Sequence, residues 1–122
     1  MTALIQEFTT TDTINKEIEN HQAWLGRVSG LVAEKMLRAR KRPYQYVLRA
    51  GENKEENVTD YYVTFMLPDY TVKHQPFTIT TTEEGWHYEN WSPGGPYTQA
   101  SFDDVLHLIM HCHKDECAPL IQ

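Results

Sequence analysis

The chain has 122 residues, of which 40% are hydrophobic and 23% charged. This length suits a single domain, and the composition excludes a disordered or fibrous protein. Eleven Lys and Arg residues against seventeen Asp and Glu residues give a net charge of −6, which argues against binding of nucleic acid or an anionic membrane through the overall charge.

The N-terminal part of the chain predicts a polar leader and then a helix. Residues 1–22 are expected to form a leader or short helix outside the main core, and residues 23–122 are expected to form the domain. Ser29 is a suitable N-cap for a helix that reaches about residue 39. Pro43 cannot continue this helix and therefore ends it.

Aromatic and β-branched residues predict a sheet in the middle of the chain. The expected strands are residues 44–49, 61–67, 71–79 and 86–89. A polar stretch at 51–60 predicts a loop, and Pro68 begins a tight turn. Ser101 precedes a second amphipathic helix, Phe102 to Met110. The sequence therefore predicts an α+β fold in which a central antiparallel sheet is flanked by two helices.

Basic residues are concentrated in one segment, between Arg27 and Lys54. This segment holds eight of the eleven basic residues and only two acidic ones, Glu34 and Glu52, so its net charge is +6. A local positive field on an acidic chain attracts a small anionic ligand while the whole molecule repels polyanions. The alternative is a solvated helix face followed by a basic loop.

Arg49 is the most informative residue of this segment. It ends an otherwise apolar strand and shares a strand face with Val47. A guanidinium in that position is costly to bury unless an anion meets it. One candidate anion is an internal carboxylate, such as Glu34 or Asp60. The other is a phosphate group of a ligand, which accepts two parallel hydrogen bonds from the planar fork.

Several motifs, in this order along the chain, resemble those of an SH2 domain, a phosphotyrosine-binding module. The motifs are Gly26-Arg27-Val28-Ser29 with Ala33-Glu34-Lys35-Met36-Leu37, Tyr46-Val47-Leu48-Arg49, Val72-Lys73-His74, Gly85-Trp86-His87-Tyr88 and Ser101 to Met110. The resemblance covers roughly residues 24–121. It implies a non-catalytic adaptor or targeting module that binds tyrosine-phosphorylated proteins or peptides.

The resemblance also implies roles for individual residues. Arg49 would hold the phosphate with two hydrogen bonds, and His74 would lie along the phosphotyrosine ring. The predicted loop after the first strand would wrap the remaining oxygens with backbone N–H groups, Asn53 and Lys54. Gly51 would let that backbone approach the phosphate closely.

The chain departs from the family pattern at three positions of the expected phosphate pocket. Gly30 and Pro76 stand where the family usually has Arg and Lys, and Gly51 stands where it has Ser. Further phosphate contacts must then come from other residues, for which Lys54 and Arg27 are candidates. Such departures suggest a divergent member of the family, of the kind found in bacterial effectors that act in a host cytosol.

A long loop, residues 90–100, carries two aromatic residues that suggest a lid. Trp91 and Tyr97 are expected to fold over the ligand and to give affinity with little selectivity for the residues that flank the phosphotyrosine. The alternative is that both rings pack on the edge of the sheet.

Other signals in the sequence are weaker. His107 and His111 are spaced to share one face of a helix, but Cys112 points elsewhere, so we expect no metal, no cofactor and no catalytic activity. Two cysteines do not make a disulfide framework, no apolar run reaches the ~20 residues of a membrane span, and no secretory signal is evident, which favours the cytoplasm. Two alternatives remain: phosphate-independent protein binding on an SH2-like fold, and a small metal-dependent hydrolase.

Overall fold

A computed structural model describes residues 10–55, 57–88 and 97–121. Within these residues the chain forms three α-helices, one short 3-10 helix and one sheet of six strands, which is an α+β architecture. The helices are α1 (Thr10–Glu19), α2 (Gly30–Arg40) and α3 (Phe102–Met110), and the 3-10 helix is Lys114–Glu116. The strands are β1 (Trp24–Gly26), β2 (Gln45–Lys54), β3 (Val58–Met66), β4 (Val72–Thr82), β5 (Gly85–Tyr88) and β6 (Ala118–Pro119).

The sheet is mostly antiparallel, as the sequence predicts. Strands β2 to β5 pair antiparallel in chain order. Strands β1 and β6 both pair with β2 in parallel, β1 beside Leu48 and Arg49, and β6 beside Gln45 and Tyr46. None of the helices in the described ranges is long and apolar enough to span a membrane.

Side chains that alternate along β2 enter two apolar clusters, one on each face of the sheet. The larger cluster, which α1 and α3 cover, includes Leu48 and Phe102. The smaller cluster lies under α2 and contains Val47 and Leu120. Because Arg49 follows Val47 by two residues, its side chain leaves the sheet on the α2 face.

Helix α1 belongs to the larger cluster, so the expectation that residues 1–22 lie outside the main core is wrong for this helix. Ile14 is 2% exposed and Ile18 is fully buried. The Tyr61 hydroxyl donates a hydrogen bond of 2.9 Å to Asn15 Oδ1. The helix is mostly polar, but two isoleucines four residues apart lie on the same helix face. This narrow apolar stripe is the part of α1 that packs on the sheet.

The predicted loop at 51–60 is wrong in its bounds, because β2 continues to Lys54 and β3 begins at Val58, which leaves only a short connection. Glu55 and Val58 bond to each other through their backbones and close a short hairpin. The end of β2 is exposed, and an exposed strand end needs no apolar residues. The polar sequence of this segment therefore gave no indication that it is a strand.

Both predicted helices are present, and their caps differ. The Ser29 hydroxyl accepts a hydrogen bond of 3.2 Å from the Val32 backbone N–H, as the N-cap prediction requires. Helix α2 ends at Arg40, and its C-cap is Lys41, which has a left-handed φ of 52° and donates its backbone N–H to the Leu37 carbonyl. Ser101 does not cap α3 in this way, because its hydroxyl donates to Asp104 Oδ2 at 2.9 Å.

Candidate functional site

Arg49 lies near the middle of β2, on the face that α2 covers, and is 7% exposed. Its neighbour across the strand pair is Tyr62 on β3. The Cζ atom of the guanidinium lies 4.6 Å from the centroid of the Tyr62 ring, a distance that permits a cation–π interaction. The aromatic ring thus supports one side of a nearly buried cation.

None of the three hydrogen-bond partners of Arg49 is a carboxylate. Nε donates to Thr64 Oγ1 at 3.0 Å, Nη1 donates to the Val28 carbonyl at 3.2 Å, and Nη2 lies 3.4 Å from His74 Nδ1. Burial lowers the pKa of the Arg49 guanidinium, because desolvation penalises the charged form. The guanidinium nevertheless stays protonated, since an arginine is not deprotonated in proteins.

No carboxylate in the described part of the chain forms an ion pair with Arg49. The two carboxylates considered as internal partners bond elsewhere. Glu34 accepts a hydrogen bond of 2.9 Å from Arg38 Nε, and Asp60 accepts one of 2.7 Å from Thr78. No described carboxylate therefore pairs directly with the Arg49 guanidinium.

His74 connects the guanidinium to the rim of the site. Its Nδ1 lies 3.1 Å from Thr64 Oγ1, and its Nε2 lies 3.4 Å from Glu34 Oε1. Thr64 accepts from Arg49, so its own O–H can donate to His74 Nδ1, and Nε2–H then donates to Glu34. Hydrogen bonds from Arg38 and His74 hold the pKa of Glu34 below its usual value. These contacts orient the imidazole beside Arg49.

Arg49 opens onto a cleft of about 690 Å³ between the end of β1, the end of β2 and β4. Four of the six predicted phosphotyrosine-binding residues line this cleft: Arg27, Arg49, Gly51 and His74. Arg27 is exposed, and its side chain forms no ion pair with any carboxylate that the structure describes. The cleft thus combines one buried and one exposed cation with one exposed carboxylate, that of Glu52.

The other two predicted residues, Asn53 and Lys54, do not line this cleft. They lie around a neighbouring cavity of about 170 Å³. Asn53 Nδ2 donates to Asp60 Oδ2 at 3.0 Å, and Lys54 Nζ lies 3.5 Å from Glu19 Oε2. Because Gly51 to Lys54 is strand and not loop, this segment does not wrap around the cleft.

Gly51 meets a steric requirement within the sheet. A Cβ atom at this position would lie 2.5 Å from both the carbonyl carbon and the carbonyl oxygen of Asp60. The register between β2 and β3 shifts between Ala50 and Lys54, so the backbones approach closely at this irregularity. The close approach that the sequence predicted at Gly51 is therefore an approach to β3.

We expect Gly51→Ala to lower the free energy of unfolding by about 1–3 kcal/mol, because the added methyl group meets rigid backbone. Urea denaturation measures this change. Gly30→Ala is the comparison, since its Cβ would lie 3.1 Å from a side-chain atom of His74 and not from backbone. Equal denaturation midpoints for Gly51→Ala and wild type would contradict the steric explanation.

The structure tests the lid prediction for only one of its two residues. Trp91 lies outside the described residues. Tyr97 does not line the Arg49 cleft but packs against His87 on β5, with ring centroids 4.4 Å apart and a T-shaped arrangement. This placement agrees with the alternative that the ring packs at the edge of the sheet.

Sequence reasoning missed Tyr62, Thr64 and Glu52, all of which contact Arg49 or line its cleft. Tyr62 and Thr64 alternate along β3 and reach the site only through the pairing of β3 with β2 and β4. The sequence does show that Tyr62 and Thr64 share one face of a strand. That they lie beside Arg49 can be predicted only when the register of β3 against β2 is known.

The residues near the C-terminus do not form a metal site in the described ranges. No group of three or more His, Cys, Asp or Glu side chains there is placed to hold a metal ion. The Cys112 and Cys117 sulfur atoms lie 3.1 Å apart as free thiols. Burial raises the pKa of both thiols, that of Cys117 to about 12, so both are protonated and weakly nucleophilic near neutral pH.

Comparison with known proteins adds no family assignment. No protein-family model matches the sequence, and no curated protein matches it.

Proposed function

We propose that this protein binds phosphotyrosine-containing proteins or peptides, without catalysis, through the Arg49 cleft. One observation carries the proposal: Arg49 is 7% exposed, has no carboxylate among its described hydrogen-bond partners, and opens onto a cleft that Arg27 and Glu52 also line. A buried cation without an internal counter-charge is costly, and a ligand anion would offset that cost.

The chemistry of phosphotyrosine fits this cleft. A phosphotyrosine carries about −1.5 to −2 charges near neutral pH and three strong acceptor oxygens. Arg49 has five N–H donors, and its described partners use at most three of them. Arg27 supplies a second cation near the surface. A guanidinium this deep favours a phosphate at the end of a long rigid ring over the shorter phosphoserine.

The fold is compatible with the proposal. A mostly antiparallel sheet with α2 on one face and α3 on the other suits an SH2-like arrangement. The protein would then act as an adaptor or targeting module, with a tyrosine-phosphorylated protein as its partner. Helix α1 is the short helix that was one of the two expectations for residues 1–22.

The direct test uses one peptide in three forms: unmodified, phosphorylated on tyrosine, and phosphorylated on serine at the same position. We expect the phosphotyrosine form to bind at least about 30-fold more tightly than the other two, since a buried charge pair contributes about 2 kcal/mol or more. Isothermal titration calorimetry measures the three affinities. Equal affinities would instead support phosphate-independent protein binding.

The affinity should depend on pH because the ligand titrates. The second phosphate pKa lies near about 6, so the affinity should fall as the pH drops from about 7.5 to about 5.5 and the phosphate gains a proton. A fluorinated phosphonate analogue, which keeps its double charge to lower pH, is the control. A similar fall for both ligands would place the titrating group on the protein.

A further inference from the structure

Two thiols meet between the end of α3 and the start of β6. The Sγ atoms of Cys112 and Cys117 lie 3.1 Å apart, and one S–H group donates a hydrogen bond to the other sulfur. They are the two cysteines of the chain. The sulfur atoms of a disulfide lie about 2.0 Å apart, so a shift of about 1 Å in the two side chains would allow this bond to form.

The backbone holds the two cysteines in this arrangement. The Cys112 N–H donates to the His107 carbonyl at 3.1 Å, which fixes Cys112 to the last turn of α3. The 3-10 helix Lys114–Glu116 lies between the cysteines. Its Glu116 N–H donates to the His113 carbonyl at 2.9 Å, and the Glu116 carboxylate accepts from the His113 N–H at 3.1 Å. Ordered backbone therefore places the two thiols together.

We infer that Cys112 and Cys117 form an intramolecular disulfide under oxidising conditions, and that this bond ties the C-terminal end of α3 to β6. The inference does not depend on the proposed function, because neither cysteine lines the Arg49 cleft. Strand β6 follows Cys117 directly, and the Ala118 N–H donates to the Tyr44 carbonyl at 3.0 Å. The cross-link would thus join the end of a helix to the sheet.

The oxidant would be a low-molecular-weight disulfide such as oxidised glutathione. The thiolate of one cysteine attacks a sulfur atom of the oxidant and releases one glutathione thiolate, which takes up a proton. The second cysteine loses its proton to solvent, attacks the mixed disulfide, forms the Cys112–Cys117 bond and releases the second glutathione. The protein loses two electrons and two protons, and the oxidant is reduced to two thiols.

The surroundings of the thiols suit a structural disulfide better than a rapid redox switch. Both cysteines are partly exposed, and Cys117 lines a cleft of about 220 Å³ beside Tyr46 and Lys114. Burial raises the pKa of both thiols, so little thiolate is present near neutral pH and oxidation is slow. A thiol of high pKa is also a poor leaving group, so the bond resists reduction once it has formed.

The test incubates the full chain with oxidised glutathione at about pH 8.5, where more thiolate is present than at neutral pH. We expect both thiols to disappear and the intact mass to fall by the mass of two hydrogen atoms, with no added glutathione. The oxidised protein should unfold at a Tm about 4–10 °C above that of the reduced protein, because the cross-link restricts the unfolded chain. Thiol titration, mass spectrometry and thermal unfolding measure these changes.

Cys112→Ser and Cys117→Ser are the matched controls, because each keeps one thiol. Each should gain one glutathione in place of the disulfide, and oxidation should not raise its Tm. Addition of two glutathione molecules to the wild-type chain, or formation of disulfide-linked dimers, would overturn the inference. Persistence of both thiols in the folded protein, when the urea-unfolded chain is oxidised by the same treatment, would also overturn it. An intramolecular disulfide without a rise in Tm would contradict the proposed tie between α3 and β6.

Discussion

Replacement of Arg49 by methionine should abolish phosphotyrosine binding and leave the protein folded. The loss of a buried, hydrogen-bonded charge pair costs about 2–5 kcal/mol, so the affinity for a phosphotyrosine peptide should fall about 30-fold to several thousand-fold. Arg49→Lys should also lose most of the affinity, because an ammonium group cannot make the two parallel hydrogen bonds. Calorimetric titration with the same peptide measures all three proteins.

The stability of Arg49→Met separates binding from folding. No carboxylate among the described residues offsets the Arg49 charge, so its removal should keep the free energy of unfolding within about 1 kcal/mol of the wild-type value. Lys73→Met is the matched control. The side chain of Lys73 lies on the face of β4 opposite to that of His74, so this change should alter neither the affinity nor the free energy of unfolding. Wild-type affinity in Arg49→Met would refute the proposed site.

The second large effect concerns α1. Ile18→Ala should lower the free energy of unfolding by about 2–5 kcal/mol, because the side chain is fully buried between α1 and the sheet. Chemical denaturation followed by tryptophan fluorescence measures the loss. A large loss of stability would mean that a protein lacking residues 1–19 loses part of the core that supports the sheet.

Ile121→Ala provides the control for this experiment. It removes the same atoms from a side chain that is 55% exposed, and we expect a change below about 0.5 kcal/mol. If both variants unfolded at the same denaturant concentration, Ile18 would not be part of the core.

Regular periodicity made much of the fold predictable. Helices α2 and α3 carry apolar stripes next to Ser29 and Ser101, and the central strands alternate visibly. Two elements carried weaker signals. Helix α1 buries its face with only Ile14 and Ile18 as apolar anchors, and the end of β2 is exposed and therefore polar.

The candidate site was predictable to the extent that it depends on single strands. Arg49 stood out because a cation ends an apolar run, and the SH2 resemblance added His74. Tyr62 and Thr64 depend on the register of β3 against β2, which the irregularity between Ala50 and Lys54 changes. A glycine inside a strand was the available sign of that irregularity, but the segment did not look like a strand.

The parallel pairing of β1 and β6 with β2 has a consequence for how the cleft is assembled. Strand β2 receives partners from residue 24 and from residue 118, which lie far apart in the chain, and Leu120 packs beside Val47 two residues before Arg49. Contacts between such distant residues close late, because they require long loops to be ordered first. During synthesis on the ribosome, the strand that carries Arg49 would therefore gain its last neighbour only after residues 118–120 leave the exit tunnel.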